Sequence, residues 1–255
     1  MNTSPTLSVV LATYNEEKNL PACLESVKDL ADEIIIVDGS STDRTVEIAK
    51  QFTSNVTTTD NPPIFHINKQ KAIDKATKDW VLQLDADERV SDELKKEILK
   101  IRSLRDDYNG YFIPRKNLFL GRYLTKGGQY PDGVIRLFRK GKGRLPCKSV
   151  HEQVVVNGSV GWLKNPLIHQ AYPTFQDYLR RQETYTKLEA MEMKQKGVSP
   201  SIGSWLFYTL WKPLTTFLSL YIRHKGFLDS WQGFVFALFS GIHFAKAYRK
   251  FLRQV

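Results

Sequence analysis

The chain is poor in cross-linking residues. Its 255 residues include two cysteines, Cys23 and Cys147, neither in a C-x-x-C nor a His-rich setting, so neither a disulfide framework nor a zinc module is expected. Cys23 falls on the apolar side of a helical stretch and reads as a core thiol. No apolar run reaches the ~18 residues expected of a spanning helix. Lys212-Pro213 breaks one candidate segment, and His243 and Lys246 limit the next. The N-terminus has neither a charged n-region nor a long apolar h-region, so no secretory signal is expected. Three catalytic motifs are missing as well: G-x-x-x-x-G-K-[ST], G-x-G-x-x-G after the first strand, and G-x-S-x-G. Their absence sets aside phosphate-loop, dinucleotide and nucleophile-elbow chemistry. Acids are the scarcer charge, 27 against 37 Lys and Arg, for a formal net charge of +10. Nucleic acid fits that charge poorly, because the basic residues form no basic helix, RNP-like strand or zinc-finger spacing.

What is present is an alternation of strands and helices in which each strand ends in polar residues. Leu7-Ser-Val-Val-Leu-Ala-Thr13 runs into Tyr14-Asn15-Glu16-Glu17, and Asn15 is expected to cap a helix carrying Leu20, Leu24 and Val27. Glu33-Ile-Ile-Ile-Val37 ends in Asp38-Gly39-Ser40-Ser41-Thr42-Asp43, before a helix with Val46, Ile48, Ala49 and Phe52. A helical stretch over residues 69–76 precedes Trp80-Val-Leu-Gln-Leu-Asp85-Ala86-Asp87-Glu88. This pattern predicts an α/β fold with a doubly wound, mostly parallel sheet, whose ligands bind at the carboxyl ends of the strands. Tyr14/Asn15, Asp38 and Asp85/Asp87 should then share one crevice. Strand residues i and i+2 lie on the same face, so Asp85 and Asp87 converge if strand geometry continues. Clustered acids without a basic neighbour hold a hard cation, and Mg²⁺ or Mn²⁺ completes its shell with substrate phosphates. The alternative is a solvated acidic turn before a helix at Ser91.

Thr13-Tyr-Asn-Glu-Glu17, Val37-Asp-Gly-Ser-Ser-Thr-Asp-Arg-Thr45 and Leu84-Asp-Ala-Asp-Glu88, in this order, resemble the motifs of the family 2 glycosyltransferases of the GT-A fold. Lys69-Gln-Lys-Ala72 corresponds loosely to the basic residue and Asn that precede the metal motif there, with Gln70 where Asn is usual. Later pieces are similar to the lipopolysaccharide-core glucosyltransferase subgroup: Val134-Ile-Arg-Leu-Phe-Arg139, Val150-His-Glu152, Leu167-Ile-His169, residues 178–185 and Lys225-Gly-Phe-Leu-Asp229. The resemblance implies a GT-A-type, Rossmann-like catalytic domain over residues 1–198 and a helical extension over 199–255. It also implies inverting, metal-dependent (Mn²⁺ or Mg²⁺) transfer of one hexose, glucose from a UDP-sugar, to a lipopolysaccharide-core or related glycolipid or oligosaccharide acceptor. The Q-x-x-R-W of processive synthases is absent, so a single addition is expected. A polyprenyl-phosphate acceptor and a non-catalytic nucleotide-sugar-binding homologue are the alternatives.

The resemblance places Thr13, Tyr14, Asn15, Glu16, Asp38, Lys69, Asp85 and Arg136 around the nucleotide sugar. Tyr14 would stack on the base and Asp38 accept from a uracil N–H; the plain readings are a strand-end aromatic and a turn-forming Asp. Asp85 would reach the ribose or a metal-bound water, and Asp87 the metal, with His169 as a third ligand or else a structural histidine. Glu88 either supports that site or favours the next helix start. An attacking hydroxyl needs a carboxylate base. Glu152, in Ser149-Val-His-Glu152 before the strand-like Gln153-Val-Val-Val156, is the first candidate, and His151 should face away from it. Asp132, in Tyr130-Pro-Asp-Gly133, is the reserve, although it reads first as a turn. Arg136 and Arg139 either grip an anionic group or are exposed strand arginines.

From Ser199 the composition shifts. The last 57 residues carry 14 of the chain's 30 aromatics, including Trp205, Trp211 and Trp231, and seven basic residues against one acid, Asp229. Aromatic, basic helices suit a membrane interface, with Lys212, Arg223, Lys225, Arg249, Lys250 and Arg253 on anionic lipid. A packed cap or a dimer face is the alternative. The expected location is cytoplasmic, peripheral on the cytoplasmic face of the inner membrane.

Overall fold

The structure, a computed structural model, describes residues 5–104, 107–148 and 152–254. Two compact units divide it: the residues up to Arg115 with Asp132–His169, and Lys116–Pro131 with the residues from Gln170 on.

The first unit opens with β1 (Leu7–Thr13), α1 (Leu20–Glu25), β2 (Glu33–Asp38), α2 (Thr45–Phe52), β3 (Val56–Thr58), α3 (His66–Asp74) and β4 (Trp80–Leu84). β1 runs parallel between β2 and β4, and β3 extends the parallel run beyond β2. Alternate side chains of β1 feed two cores. Leu7, Val9 and Leu11 join Leu20, Cys23 and Leu24 of α1, and Val10 joins Ala72 and Ile73 of α3. A strand covered on both faces reads as one apolar run, and each fully buried Leu or Val is worth about 1.5–3 kcal/mol. Cys23 is the core thiol expected, and burial pushes its pKa up.

β5 (Glu88–Val90), α4 (Asp92–Ser103), β6 (Tyr108–Phe119), β7 (Arg122–Tyr123), β8 (Asp132–Arg139), β9 (Gly143–Arg144), β10 (Val155–Val156), β11 (Ser159–Trp162) and β12 (Leu167–Tyr172) follow. The sheet order is β3-β2-β1-β4-β8-β6-β12-β5, with β11 and β7 on β6, and β9 pairs with β10 apart from it. β8 pairs antiparallel with both β4 and β6. This is the α/β architecture read from the sequence, with its parallel run at the β3-β2-β1-β4 end. The helix expected at Ser91 is α4, and Ser91 caps it, its Oγ accepting from the Leu94 N–H at 3.2 Å. Two local expectations fail. Asn15 is not a helix cap, because α1 begins only at Leu20 and is preceded by Asn19. Asp132 is the first residue of β8 rather than a turn residue, held in register opposite Arg115.

The second unit contains α5 (Phe175–Gln195), α6 (Ile202–Leu206), α7 (Lys212–Leu218) and α8 (Ser230–Leu252), so α5 groups with the tail helices. α8 packs on α5 through Ala247, Tyr248 and Phe251 against Ala190 and Met193. Buried Asp229 accepts from the Thr125 N–H (2.9 Å), Thr125 Oγ1 (3.0 Å) and the Lys126 N–H (2.7 Å). Lys212-Pro213 does not interrupt the helical run. A π-helical turn over Phe207–Trp211 precedes it, with the Lys212 N–H reaching back to Phe207 O, and this wider turn accommodates a proline that has no N–H to give.

Candidate active site

Parallel register sets three strand ends side by side. Thr13 of β1 pairs with Asp38 of β2, and Leu84, the last residue of β4, pairs with Leu11. The loops after β1 and β2 are stitched together by side chains. Buried Asp38 accepts from Thr13 Oγ1 (2.8 Å), Ser41 Oγ (2.6 Å) and the Ser41 N–H (2.8 Å). Asn15 sits at φ 54°, a left-handed conformation that Asn tolerates better than most residues. There its N–H donates to Ser41 Oγ (2.8 Å) and its Oδ1 accepts from the Thr42 N–H (2.8 Å). The Glu16 N–H donates to Thr45 Oγ1 at 2.7 Å. Tyr14 is 46 % exposed. Asp38 therefore does form the turn that its position before Gly39 suggested. Three of the roughly four lone-pair positions of its carboxylate are engaged, which leaves one on Oδ1.

The strand does not continue through Asp85 and Asp87, and the two carboxylates have different partners. Strand geometry ends at Leu84, and the Glu88 N–H closes a turn onto Asp85 O at 2.9 Å. Asp85 also has basic neighbours: Lys69 Nζ and, at 2.5 Å, Arg136 Nη2. Burial raises its pKa, but Arg136 and Lys69 outweigh burial and hold the carboxyl well below the usual carboxylate range. Asp87 instead meets His169 Nε2 at 3.3 Å. β12 carries His169 opposite Glu88 of β5, and this register brings the imidazole to the turn.

Glu88 supports that turn rather than the helix after it. It is fully buried, with Oε2 accepting from the Asp85 N–H at 3.0 Å and Oε1 from Arg136 Nη2 at 2.8 Å and Arg115 Nη1 at 3.4 Å. Arg115 in turn donates to Asp132 Oδ2 through Nε (3.0 Å) and Nη2 (2.6 Å). Charges thus alternate from Lys69 through Asp85, Arg136, Glu88 and Arg115 to Asp132. Burial alone would lower the Arg136 pKa, but Asp85 and Glu88 raise it and keep the guanidinium charged. A buried chain of this kind stands only while each charge keeps its partner. Arg139 is elsewhere. It pairs with Trp80 at the start of β4, its guanidinium 4.5 Å over that ring and its Nε bonded to Tyr108 O at 3.1 Å.

Glu152 precedes β10 rather than lying in a strand. Its two carboxylate oxygens accept the Lys148 N–H at 2.9 and 3.0 Å, and Oε2 is 3.9 Å from His66 Nδ1. His66 and Lys69 are one turn apart on α3, so Glu152 stands beside the helix that brings Lys69 to Asp85. Gln70 fastens the neighbouring segment, accepting from the Leu145 N–H at 2.6 Å. His151 lies outside the described residues.

Sequence reasoning missed three participants: Arg115, His66 and Gln83. Gln83, which accepts from Arg136 Nη1, had a visible signal as the one polar residue in an apolar strand. Among the described residues no three His, Cys, Asp or Glu side chains are grouped to hold a metal ion. Asp87 and His169 offer two donors, which suits an ion whose shell is completed by substrate phosphates and not one caged by protein alone.

Residues 8–154, more than half of the chain, match the model of Glycosyl transferase family 2. The chain is 28 % identical to the lipopolysaccharide core biosynthesis glycosyltransferase LpsC of Rhizobium meliloti (strain 1021) over 96 % of this chain and 92 % of that protein. Among solved structures, the mannosyltransferase PcManGT from Pyrobaculum calidifontis, in complex with GDP-Man and Mn²⁺, superposes with a TM-score of 0.54 at 13 % identity, covering 98 % of this chain and 88 % of that one. Glucosyl-3-phosphoglycerate synthase from Mycobacterium tuberculosis, in complex with phosphoglyceric acid, gives a TM-score of 0.50 at 14 % identity over 77 % and 82 % of the two chains. The fold is of the GT-A type, with a C-terminal helical region.

Proposed function

We propose that this chain, which belongs to glycosyl transferase family 2, moves one hexose, glucose, from a UDP-sugar onto a lipopolysaccharide-core or related glycolipid acceptor with inversion. The observation that carries the reading is the arrangement around the Asp85–Glu88 turn. Asp87 stands beside His169 there, Lys69 and Arg136 converge on Asp85, and the ends of β1 and β2 adjoin β4. The similarity to LpsC supports the acceptor class.

In this reading Tyr14 stacks on uracil, and Asp38 accepts a uracil N–H through its remaining lone pair. Thr13, Asn15 and Glu16 shape that pocket, and Asp85 faces the ribose. Lys69 and Arg136 lie where they oppose the charge of a diphosphate. Asp87 and His169 hold Mn²⁺ or Mg²⁺, which when bound offsets the negative charge gathering on the departing diphosphate. Glu152 takes the proton of the acceptor hydroxyl as it attacks the anomeric carbon from the side opposite the leaving group; Asp132 is the second candidate. Residues 1–198 act as the catalytic domain, and the tail from 199 to 255 holds the enzyme on the anionic cytoplasmic face of the inner membrane, where the glycolipid acceptor is met.

A panel of UDP- and GDP-sugars, with lipid-linked core oligosaccharide as the acceptor and release of nucleoside diphosphate as the readout, with and without EDTA, tests this. UDP release from UDP-glucose that EDTA abolishes is expected. UDP binding without turnover on any pair would make the protein a non-catalytic homologue, and turnover only on polyprenyl phosphate would reassign the acceptor.

A further inference from the structure

Exposed apolar side chains of the second unit concentrate on one helical run. Residues 202–223 pass through α6, the π-helical turn Phe207–Trp211, α7 and a second π-helical turn, Ser219–Arg223. Ile202, Leu206, Leu210, Leu214, Leu218 and Ile222 recur at every fourth residue and all are exposed, Ile202 at 80 % and Ile222 at 58 %. At 3.6 residues per turn each four-residue step overshoots by about 40°, so five steps would carry the row about halfway round a regular helix. The two wider turns wind less per residue and bring the row back toward one side. Trp205 and Trp211, the latter 61 % exposed, flank it.

The other side of the run is occupied. Tyr208 stacks on Tyr248 of α8 at 5.2 Å, and Gly241 approaches Pro213 O so closely that a Cβ there would lie 2.6 Å from it. The Thr209 and Thr215 hydroxyls bond back to Trp205 O (2.6 Å) and Trp211 O (2.9 Å), so they present no unpaired polar group. No acid occurs between Glu192 and Asp229, and Arg223 and Lys225 are exposed where the run ends. A row of exposed apolar side chains marks an interaction surface. No helix among the described residues is long and apolar enough to cross a membrane.

We propose that residues 202–223 lie in the plane of an anionic bilayer surface, with the Ile202-to-Ile222 row among the acyl chains, Trp205 and Trp211 at headgroup depth, and Arg223 and Lys225 on anionic headgroups. This rests on the membrane reading above and assigns it to one element, the 202–223 run. Lys250 of α8, expected from the sequence to touch lipid, is engaged inside the unit by Glu183 Oε1 (2.7 Å), Glu183 O (3.1 Å) and Thr186 Oγ1 (2.7 Å). Charge selects the bilayer over a second copy of the chain. A second such face would offer Arg223 and Lys225 no acid, since none occurs between Glu192 and Asp229, whereas an anionic leaflet complements them.

The full chain is sedimented with phosphatidylcholine vesicles containing phosphatidylglycerol, and tryptophan emission is followed with acyl-brominated lipid. Wild type should bind, with quenching that diminishes in Trp211→Phe. Leu214→Glu with Leu218→Glu should bind at least tenfold more weakly at an unchanged unfolding midpoint, while Arg249→Gln with Arg253→Gln binds as wild type. Undiminished binding by the leucine pair, or loss with the arginine pair, overturns the assignment and leaves the membrane reading standing. A wild-type chain that ignores the vesicles overturns both, and a dimer split by the leucine pair would give the row to a second copy. If the leucine pair misfolds, wild-type quenching decides, and its absence overturns the proposal.

Discussion

Asp87 has a histidine for a neighbour, while Asp85, two residues earlier, has a lysine and an arginine. Asp87→Asn removes a charge without disturbing the ions around Asp85, so the unfolding midpoint should hold. Divalent-dependent turnover should fall by the ~3 kcal/mol typical of one lost electrostatic contact in a transition state. A manganese titration of both proteins checks this, and full turnover by the variant, or by wild type in EDTA, removes the metal role. Glu152→Gln keeps an acceptor for the Lys148 N–H but loses the proton acceptor. UDP affinity by calorimetry should persist while transfer drops roughly 10²–10⁴-fold. If transfer survives and Asp132→Asn abolishes it, the two carboxylates exchange roles. Asp38, Asp85 and Asp87 were legible in the sequence because strand-end acids are conspicuous. Their partners were not. Arg115 comes from a strand that no motif marks, and nothing local announces that Glu88 turns inward to the Asp85 N–H.

At the scale of elements, close approaches in the second unit make opposite forecasts for two helical glycines. A Cβ on Gly233 of α8 would lie 1.9 Å from Gly226 O, whereas on Gly203 of α6 it would meet only Ser201 Oγ at 3.8 Å. Gly→Ala ordinarily favours a helix by about 1 kcal/mol, and overpacking costs about 1–3 kcal/mol. Gly233→Ala should therefore lower the denaturant midpoint and Gly203→Ala raise it slightly; the reverse order would show that the Gly226 turn yields. The α5–α8 joint also carries His243, whose Nδ1 lies 2.8 Å from Gln182 Oε1. Burial first, then Lys250 and Lys246, lower its pKa. The unfolded chain thus binds the proton more readily, and stability is full above about pH 6.5 and declines as pH falls below it. The unfolding midpoint should drop between about pH 7 and pH 5, and less steeply in His243→Asn; parallel slopes would exclude this histidine. Strands β1, β2 and β4 were legible as apolar runs because parallel strands are covered on both faces. The start of α1 was not, since Asn15 spends its side chain on the neighbouring loop.

Across the whole molecule, composition located the tail but not its company. An aromatic count marks residue 199, yet α5 and Lys116–Pro131 share a compact unit with the tail helices, because Phe119, Leu124 and Tyr178 pack with Phe236 and Phe239. Sequence proximity gives no hint of that packing. Truncation after Pro200 should therefore expose these aromatics and strip Thr125 and Lys126 of Asp229, leaving a chain that aggregates or melts earlier. A truncated protein that remains monomeric with an unchanged midpoint would show that α8 is dispensable to the unit.

The hydrogen bonds that knot Asn15, Ser41, Thr42, Asp38 and Thr13 together settle the loop conformation when the chain folds. Ordering one residue costs roughly 1–2 kcal/mol, and a loop that orders only on ligation subtracts that cost from affinity. With the cradle already set, a nucleotide bound there as proposed would meet a rigid surface. In stopped-flow measurements association should be a single exponential whose rate climbs linearly with nucleotide concentration, with no plateau from a slow rearrangement.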